Sequence, residues 1–260
     1  MGNIIRTAEK ITLDDLKNIF SEKIECIKIP NFFPGDLCSI ISQKILGRSD
    51  KGCFNKANEI GRIGLAHFEI DTIERFNEYH NNAINNIDRL RKIFNPYLSP
   101  VDHLRLILDE IWPSGAKLET LYGRKCFIGI CRIIDQSVQL LAHNDRLDRD
   151  SPDSIQAASL VKQLSANIYI QTPYTCGELA LWKKEPKNED EYKKMKNGKY
   201  GIETKLLGAP DVIIAPRSGE LVIFNARRYH AVYQGNGRSR INVGMFIGYR
   251  GEHTSLSYWS

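Results

Sequence analysis

The chain has 260 residues, 42% of them hydrophobic and 26% charged, with a formal net charge of +5. That length fits one large domain with elaborations or two small ones, and that balance excludes global disorder. A positive charge this mild, without arginine-rich runs, gives little footprint for nucleic acid and suits an enzyme with anionic ligands.

The first part of the chain reads as helical. Thr12 followed by Leu13, Asp14 and Asp15 predicts a helix start, with Thr12 as N-cap and two carboxylates in the positive first turn. Residues 24–29 alternate apolar and polar, which predicts a short strand, and Pro30, Pro34 and Gly35 break it. A second helix is expected over 36–46 and a Gly- and Asn-rich loop over 47–62. The charged, periodic stretch 72–95 predicts one long helix on Ile73, Phe76, Tyr79, Ile84, Ile87, Leu90 and Ile93, ending before Pro96. Another helix is expected over 104–112.

From residue 125 short apolar runs alternate with turn residues: 126–134, 138–142, 166–171, 178–182, 212–214, 220–225, 229–233 and 241–249. Such a series predicts a double-sheet jelly roll. Together these patterns predict an α+β chain: one domain over 1–260, with a mainly helical N-terminal support (1–124) packed on a jelly-roll core (125–250). A helix over 153–164 is expected to interrupt the strands, and the Lys- and Glu-rich run 183–199 to be a solvated insertion. No internal repeat is present.

The six cysteines form no CxxC pair, so a thiolate zinc site is not expected, and buried free thiols in a reducing compartment are. The N-terminus, beginning Met1, Gly2, Asn3, has no long apolar core of a signal, and no run approaches the roughly 18 apolar residues of a membrane span. A soluble cytoplasmic protein without membrane or nucleic-acid partners is the expectation.

Chemistry concentrates in the second half. His143 and Asp145 end an apolar strand, where residues i and i+2 project to one side and can serve as two cis ligands. His230 follows a second strand, 221–224. Two imidazoles and one carboxylate occupy one face of an octahedral metal and leave the rest open for reaction, the ligand set of mononuclear non-haem Fe(II) oxygenases. A chance pair with a simple His–Asp hydrogen bond is the alternative for His143 and Asp145 alone. Arg240, Asn242 and Gly244 share one face of the strand that follows, and Arg240 can grip a carboxylate bidentately; Arg238 reads as a surface turn residue.

With these pieces in place, residues 126–250 resemble the Fe(II)/2-oxoglutarate-dependent oxygenase superfamily, in particular its prolyl-4-hydroxylase-like branch. The resemblance rests on His143-x-Asp145, the run Ala-Asn-Ile-Tyr-Ile at 166–170, Gly-Glu-Leu-Ala-Leu-Trp at 177–182, Pro216 and Gly219 leading to His230, and Arg240. Residues 163–167 and 246–249 are similar, more narrowly, to enzymes related to the free-amino-acid and indole-alkaloid halogenases. Those enzymes carry Gly or Ala where Asp145 stands, which opens a position for chloride, so the resemblance implies hydroxylation here. It implies Fe(II), O2 and 2-oxoglutarate as co-substrate, with His143, Asp145 and His230 on the metal and Arg240 on the distal carboxylate of 2-oxoglutarate. The implied substrate is a small molecule, an amino acid or a metabolite derived from one. A protein or nucleic-acid side chain, or a non-catalytic jelly roll, are the alternatives.

Further residues have two readings each. Tyr169 and Asn167 share a strand face and can hydrogen-bond 2-oxoglutarate, or Tyr169 is a core residue. Arg62 and His67 lie in a glycine-hinged segment that is either a lid over substrate or an ordinary loop. Arg146 and Arg149 either bind an anionic substrate or pair with Asp148 and Asp150. Trp182 contacts substrate or packs.

Overall fold

The computed structural model describes residues 4–55 and 57–260; Met1, Gly2 and Asn3 of the N-terminal reading, and Lys56 of the expected loop, lie outside the described residues. The first helix, Leu13–Phe20, starts at Thr12 as expected: the Asp15 amide donates to Thr12 Oγ1 at 3.2 Å and the Thr12 amide to the Asp15 carboxylate at 3.0 Å, a reciprocal cap. Further helices are Gly35–Leu46, Ile73–Asn81, Ala83–Phe94 and Pro100–Ile111. The expected single helix over 72–95 is two. Asn82 breaks it, because its side-chain amide donates back to the Glu78 carbonyl at 2.9 Å and competes with the helical ladder.

Two sheets face each other. The larger runs in the order Ile5–Thr7, Cys26–Ile29, Leu221–Asn225, Lys162–Gln171, Arg240–Tyr249, Ile130–Ile134, Ile60–Ile63, Gly52–Cys53, with Leu256–Trp259 and Ala116–Leu118 attached beyond Arg240–Tyr249. The smaller runs Val212–Ile214, Leu179–Leu181, His230–Val232, Leu140–His143, all antiparallel. The fold is α+β with a double-stranded β-helix core. The N-terminal part is more than a helical support, since five of the large sheet's strands come from before residue 125. The expected loop over 47–62 holds two of them. These strands are short and glycine-bearing, so local propensity is silent, and pairing of Ile60–Ile63 with Ile130–Ile134, and of Gly52–Cys53 with Ile60–Ile63, decides. The helix expected over 153–164 shrinks to one turn, Ile155–Ala158, and the strand begins already at Lys162.

Period-2 alternation sorts the central strands. Leu164, Ala166, Ile168 and Ile170, with Ile241, Val243 and Met245, join the main core, which also holds Ile41, Ile45, Ile87 and Leu90 from the helices. Ser165, Asn167 and Tyr169, with Arg240 and Asn242, line the cavity between the sheets. No helix among the described residues is long and apolar enough to cross a membrane. All six cysteines are free; Cys53 and Cys176 are exposed and the other four buried.

Candidate functional site

His143 ends one strand of the smaller sheet and His230 opens its neighbour, and they face each other in register, their rings 4.3 Å apart. Asp145 lies just beyond, its Oδ2 3.2 Å from His230 Nε2. Among the described residues these three form the one group of His, Cys, Asp or Glu side chains placed to hold a metal, each offering one ligand atom, all within 4.8 Å of one another. Both imidazoles are oriented from behind. His143 Nδ1 lies 2.7 Å from the Leu141 carbonyl and His230 Nδ1 3.0 Å from the Arg228 carbonyl. A carbonyl only accepts, so each Nδ1 carries the proton and each Nε2 lone pair faces the cavity. Burial pushes His143 down to about 4, with His230 adding to the effect, so the imidazole is neutral at pH 7 and its Nε2 can bind a metal. Burial alone would raise the Asp145 carboxyl. Its contact with His230 at 3.2 Å, the neighbouring His143 imidazole and the charge of Arg132 overcome that and hold it well below the usual carboxylate range.

Asn144, between the two ligands, points the other way and ties the loop. Its amide nitrogen donates to the Arg227 carbonyl at 3.0 Å, and its side-chain and main-chain oxygens accept from Arg149 at 2.9 and 2.8 Å. The Asp145 amide donates to the Ala226 carbonyl at 2.8 Å. The first ligand pair is thus stitched to the loop that delivers the third. Arg228, in that loop, is gripped by Glu25 and by Glu22 (2.6 Å), which follow the first helix.

The cavity around the three side chains has a volume of about 300 Å³. Arg240 reaches it from the floor. It is 3% exposed, and its Nε and Nη2 have no protein partner. Such a buried guanidinium is costly unless a ligand completes it, and a carboxylate fits its fork. The Tyr169 ring lies 5.5 Å from its guanidinium carbon. Asn167 accepts from Asn242 at 2.7 Å and donates to Ser165 at 3.0 Å, so a hydrogen-bonded row runs along the cavity floor. The donor set therefore fits a divalent metal, and the floor fits a dicarboxylate.

Of the other expected contacts, Arg149 lines the cavity beside Asp150, and the rest lie outside its wall. Arg62 pairs with Glu69 at 3.1 Å and packs on the Phe54 ring; His67 is buried against Tyr79 and the Ser151 hydroxyl. Arg146 pairs with Asp148, and Trp182 is packed, its indole donating to the Gly208 carbonyl at 3.0 Å. Arg238 donates to the Thr172 carbonyl at 2.7 Å in a turn. Two wall features went unread in the sequence. Arg132 is a lone charge in the apolar strand Ile130–Ile134, a signal that was there to be seen. The run 183–199 is not simply solvated: it forms the helix Glu189–Lys196, which lays Glu189, Tyr192, Lys193 and Lys196 along the cavity, with Tyr192 4% exposed. Tyr192 is the only aromatic in that charged run.

Comparison with known proteins places the fold and the family. An N-substituted L-amino acid dioxygenase from Burkholderia ambifaria superposes with a TM-score of 0.63 at 15% identity, covering 96% of this chain and 92% of that one. HygX from Streptomyces hygroscopicus, solved with nickel and 2-oxoglutarate, superposes with a TM-score of 0.52 at 13% identity, covering 92% of this chain and 87% of that one. The L-gamma-glutamyl-L-propargylglycine hydroxylase of Streptantibioticus cattleyicolor is 30% identical over 143 residues, 54% of this chain and 52% of that enzyme, so the match spans about half of the relative's length. The model of the carrier-protein-independent halogenase WelO5 family matches residues 6–260, and the chain belongs to that family.

Proposed function

We propose that this protein is an Fe(II)- and 2-oxoglutarate-dependent dioxygenase that hydroxylates a C–H bond of a small molecule, an amino acid or a compound derived from one. One observation carries the reading: a His–Asp–His group and a buried, unpartnered guanidinium share one cavity. His143 and His230 would hold the metal through Nε2 and Asp145 through its carboxylate. Arg240 would hold the distal carboxylate of 2-oxoglutarate, with Tyr169 and Asn167 along its length. Bound iron with 2-oxoglutarate and O2 supplies the C–H oxidation, coupled to release of succinate and CO2. The chain's own residues do the rest. The Leu141 and Arg228 carbonyls fix the imidazoles, the apolar wall of Phe54, Phe68, Ile134 and Leu140 keeps water away, and the helix Glu189–Lys196 lies along the cavity.

The family's name points to halogenation, and Asp145 favours hydroxylation instead, because a carboxylate stands within ligand distance of both histidines. The hydroxylase and dioxygenase relatives agree with that choice. A cavity of this size suits a small molecule rather than a polymer. All of residues 1–260 would serve as one catalytic unit, since strands from both halves build the wall. The test is succinate formation from 2-oxoglutarate with and without Fe(II). His230→Ala should lose bound metal, by elemental analysis, together with succinate formation; a fully active variant would refute the site.

A further inference from the structure

We infer that Arg132 is the subsite for a carboxylate of the organic substrate, so that the protein takes its substrate as a free acid. The inference rests on the oxygenase reading above. Arg132 lies opposite Asn242 in the large sheet and projects into the cavity. Its neighbour across the strand, Gly244, is what admits it: a Cβ there would stand 2.7 Å from Arg132 Nη1 and 2.9 Å from Asn167 Oδ1. Gly244 thus makes room for a second cation. Arg132 has no hydrogen bond or ion pair to any described side chain, in contrast to Arg62 on the next strand, which is matched by Glu69. Burial draws its pKa below the ordinary guanidinium value while the charge of Asp145 opposes the change. A guanidinium does not give up its proton in a protein, so the group is a recessed cation awaiting an anion.

Charge decides which anion. A divalent metal and the dianion of 2-oxoglutarate cancel each other. Arg240 is committed to the co-substrate, and Asp145, the anion nearest Arg132, is shared with the metal. The set of metal, 2-oxoglutarate, Asp145, Arg132 and Arg240 keeps one positive charge, and Arg132 has the free hydrogen-bond donors to take a further anion. Nearer the mouth the wall carries both signs, with Arg149 and Asp150 3.5 Å apart and Glu189 and Lys193 on the helix above. A molecule with a carboxylate inward and an ammonium or amide outward meets a matching field. An ester, a carboxamide or a carrier-bound thioester would leave Arg132 unpaired, which is how a site built for a polar group rejects the analogue lacking it.

The native protein, loaded with 2-oxoglutarate and Zn²⁺ as a redox-inert metal, is titrated by calorimetry with the common L-amino acids, their N-acetyl and γ-glutamyl derivatives, and the matching α-carboxamides. The expected result is that acids in the set bind and that their carboxamides bind about tenfold or more weakly. Arg132→Gln should abolish that preference while 2-oxoglutarate affinity holds, and Arg132→Lys should restore part of it. Equal binding of acid and carboxamide by the native protein would overturn the proposal. So would binding of no acid, or an Arg132→Gln variant that loses 2-oxoglutarate as strongly as the acid, which would hand the guanidinium to the co-substrate. The acid–amide comparison needs no variant, so a misfolded substitution leaves the test standing. Succinate assays with Fe(II) separate the two layers. Succinate without acid binding sinks the subsite alone; Arg132-dependent acid binding without succinate sinks the oxygenase reading alone.

Discussion

Single side chains carry the sharpest expectations. On the proposed function, Arg240→Ala would remove a charge-assisted, bidentate contact worth roughly 1.5–3 kcal/mol, so the 2-oxoglutarate requirement should rise about tenfold or more. Titration of that requirement under single-turnover conditions checks it, and an unchanged value would move the anchor elsewhere. On the proposed function, Asp145 sets the reaction class. In excess chloride the native protein should add oxygen to its substrate, read by mass, and a chlorinated main product would show that Asp145 is not a ligand. Asp145→Gly should vacate that position and is the variant in which to look for halide incorporation. At this scale much was legible. The structure brings His143, Asp145, His230 and Arg240 to one cavity, where strand alternation had put His143 and Asp145 on one side and Arg240 on a face with Asn242. Arg62, His67, Arg146 and Trp182 mislead for a common reason. A polar or aromatic group near a motif satisfies itself locally (Glu69, Ser151, Asp148, the Gly208 carbonyl), and the sequence around it looks the same in either case.

Among the elements, the helix Glu189–Lys196 shows how a local reading fails. Its eight residues are well capped, Asn188 accepting from the Glu191 amide at 2.8 Å, with acids first and lysines last. A helix this short is still marginal alone. Tyr192 docks it: the ring is buried, with Arg149 5.2 Å and Lys196 5.1 Å from its centroid. Tyr192→Ala should therefore release the helix, at a cost of roughly 3–5 kcal/mol for losing a large buried aromatic. Amide exchange across 189–196 should quicken while metal content stays near native, and unchanged protection would mean that the helix is held by something else. Charge density hid this docking, since a single tyrosine amid lysines and acids leaves no apolar stripe to read. The central strands were easier, because alternation over Lys162–Gln171 and Arg240–Tyr249 assigns the cavity face without knowledge of the partners. The edge strands Gly52–Cys53 and Ile60–Ile63 had no such pattern, being too short to show one.

The whole molecule couples its stability to pH through a residue remote from the chemistry. Burial, then the neighbouring His80, pushes His67 from its ordinary 6.5 to about 3. The folded state therefore holds a neutral imidazole where the unfolded chain takes up a proton. The contribution is complete above pH 6.5 and is lost as pH falls toward 3, at about 1.4 kcal/mol per pH unit. Urea unfolding from about pH 7 to about pH 4 should show that slope, and His67→Phe should flatten it by that amount; an unaltered slope would place the acid sensitivity in other groups. On the same scale, the division into support and core was legible only as a change of texture near residue 125, because sheet pairing is a long-range property. The grip of Glu22 and Glu25 on Arg228 makes that division mechanically misleading. The Arg228 carbonyl sets the tautomer of His230, so the third candidate ligand is steadied from the first 25 residues of the chain. Any dissection of this protein at the apparent boundary, for a minimal domain or a chimera, would keep every candidate ligand and lose the brace that aims one of them.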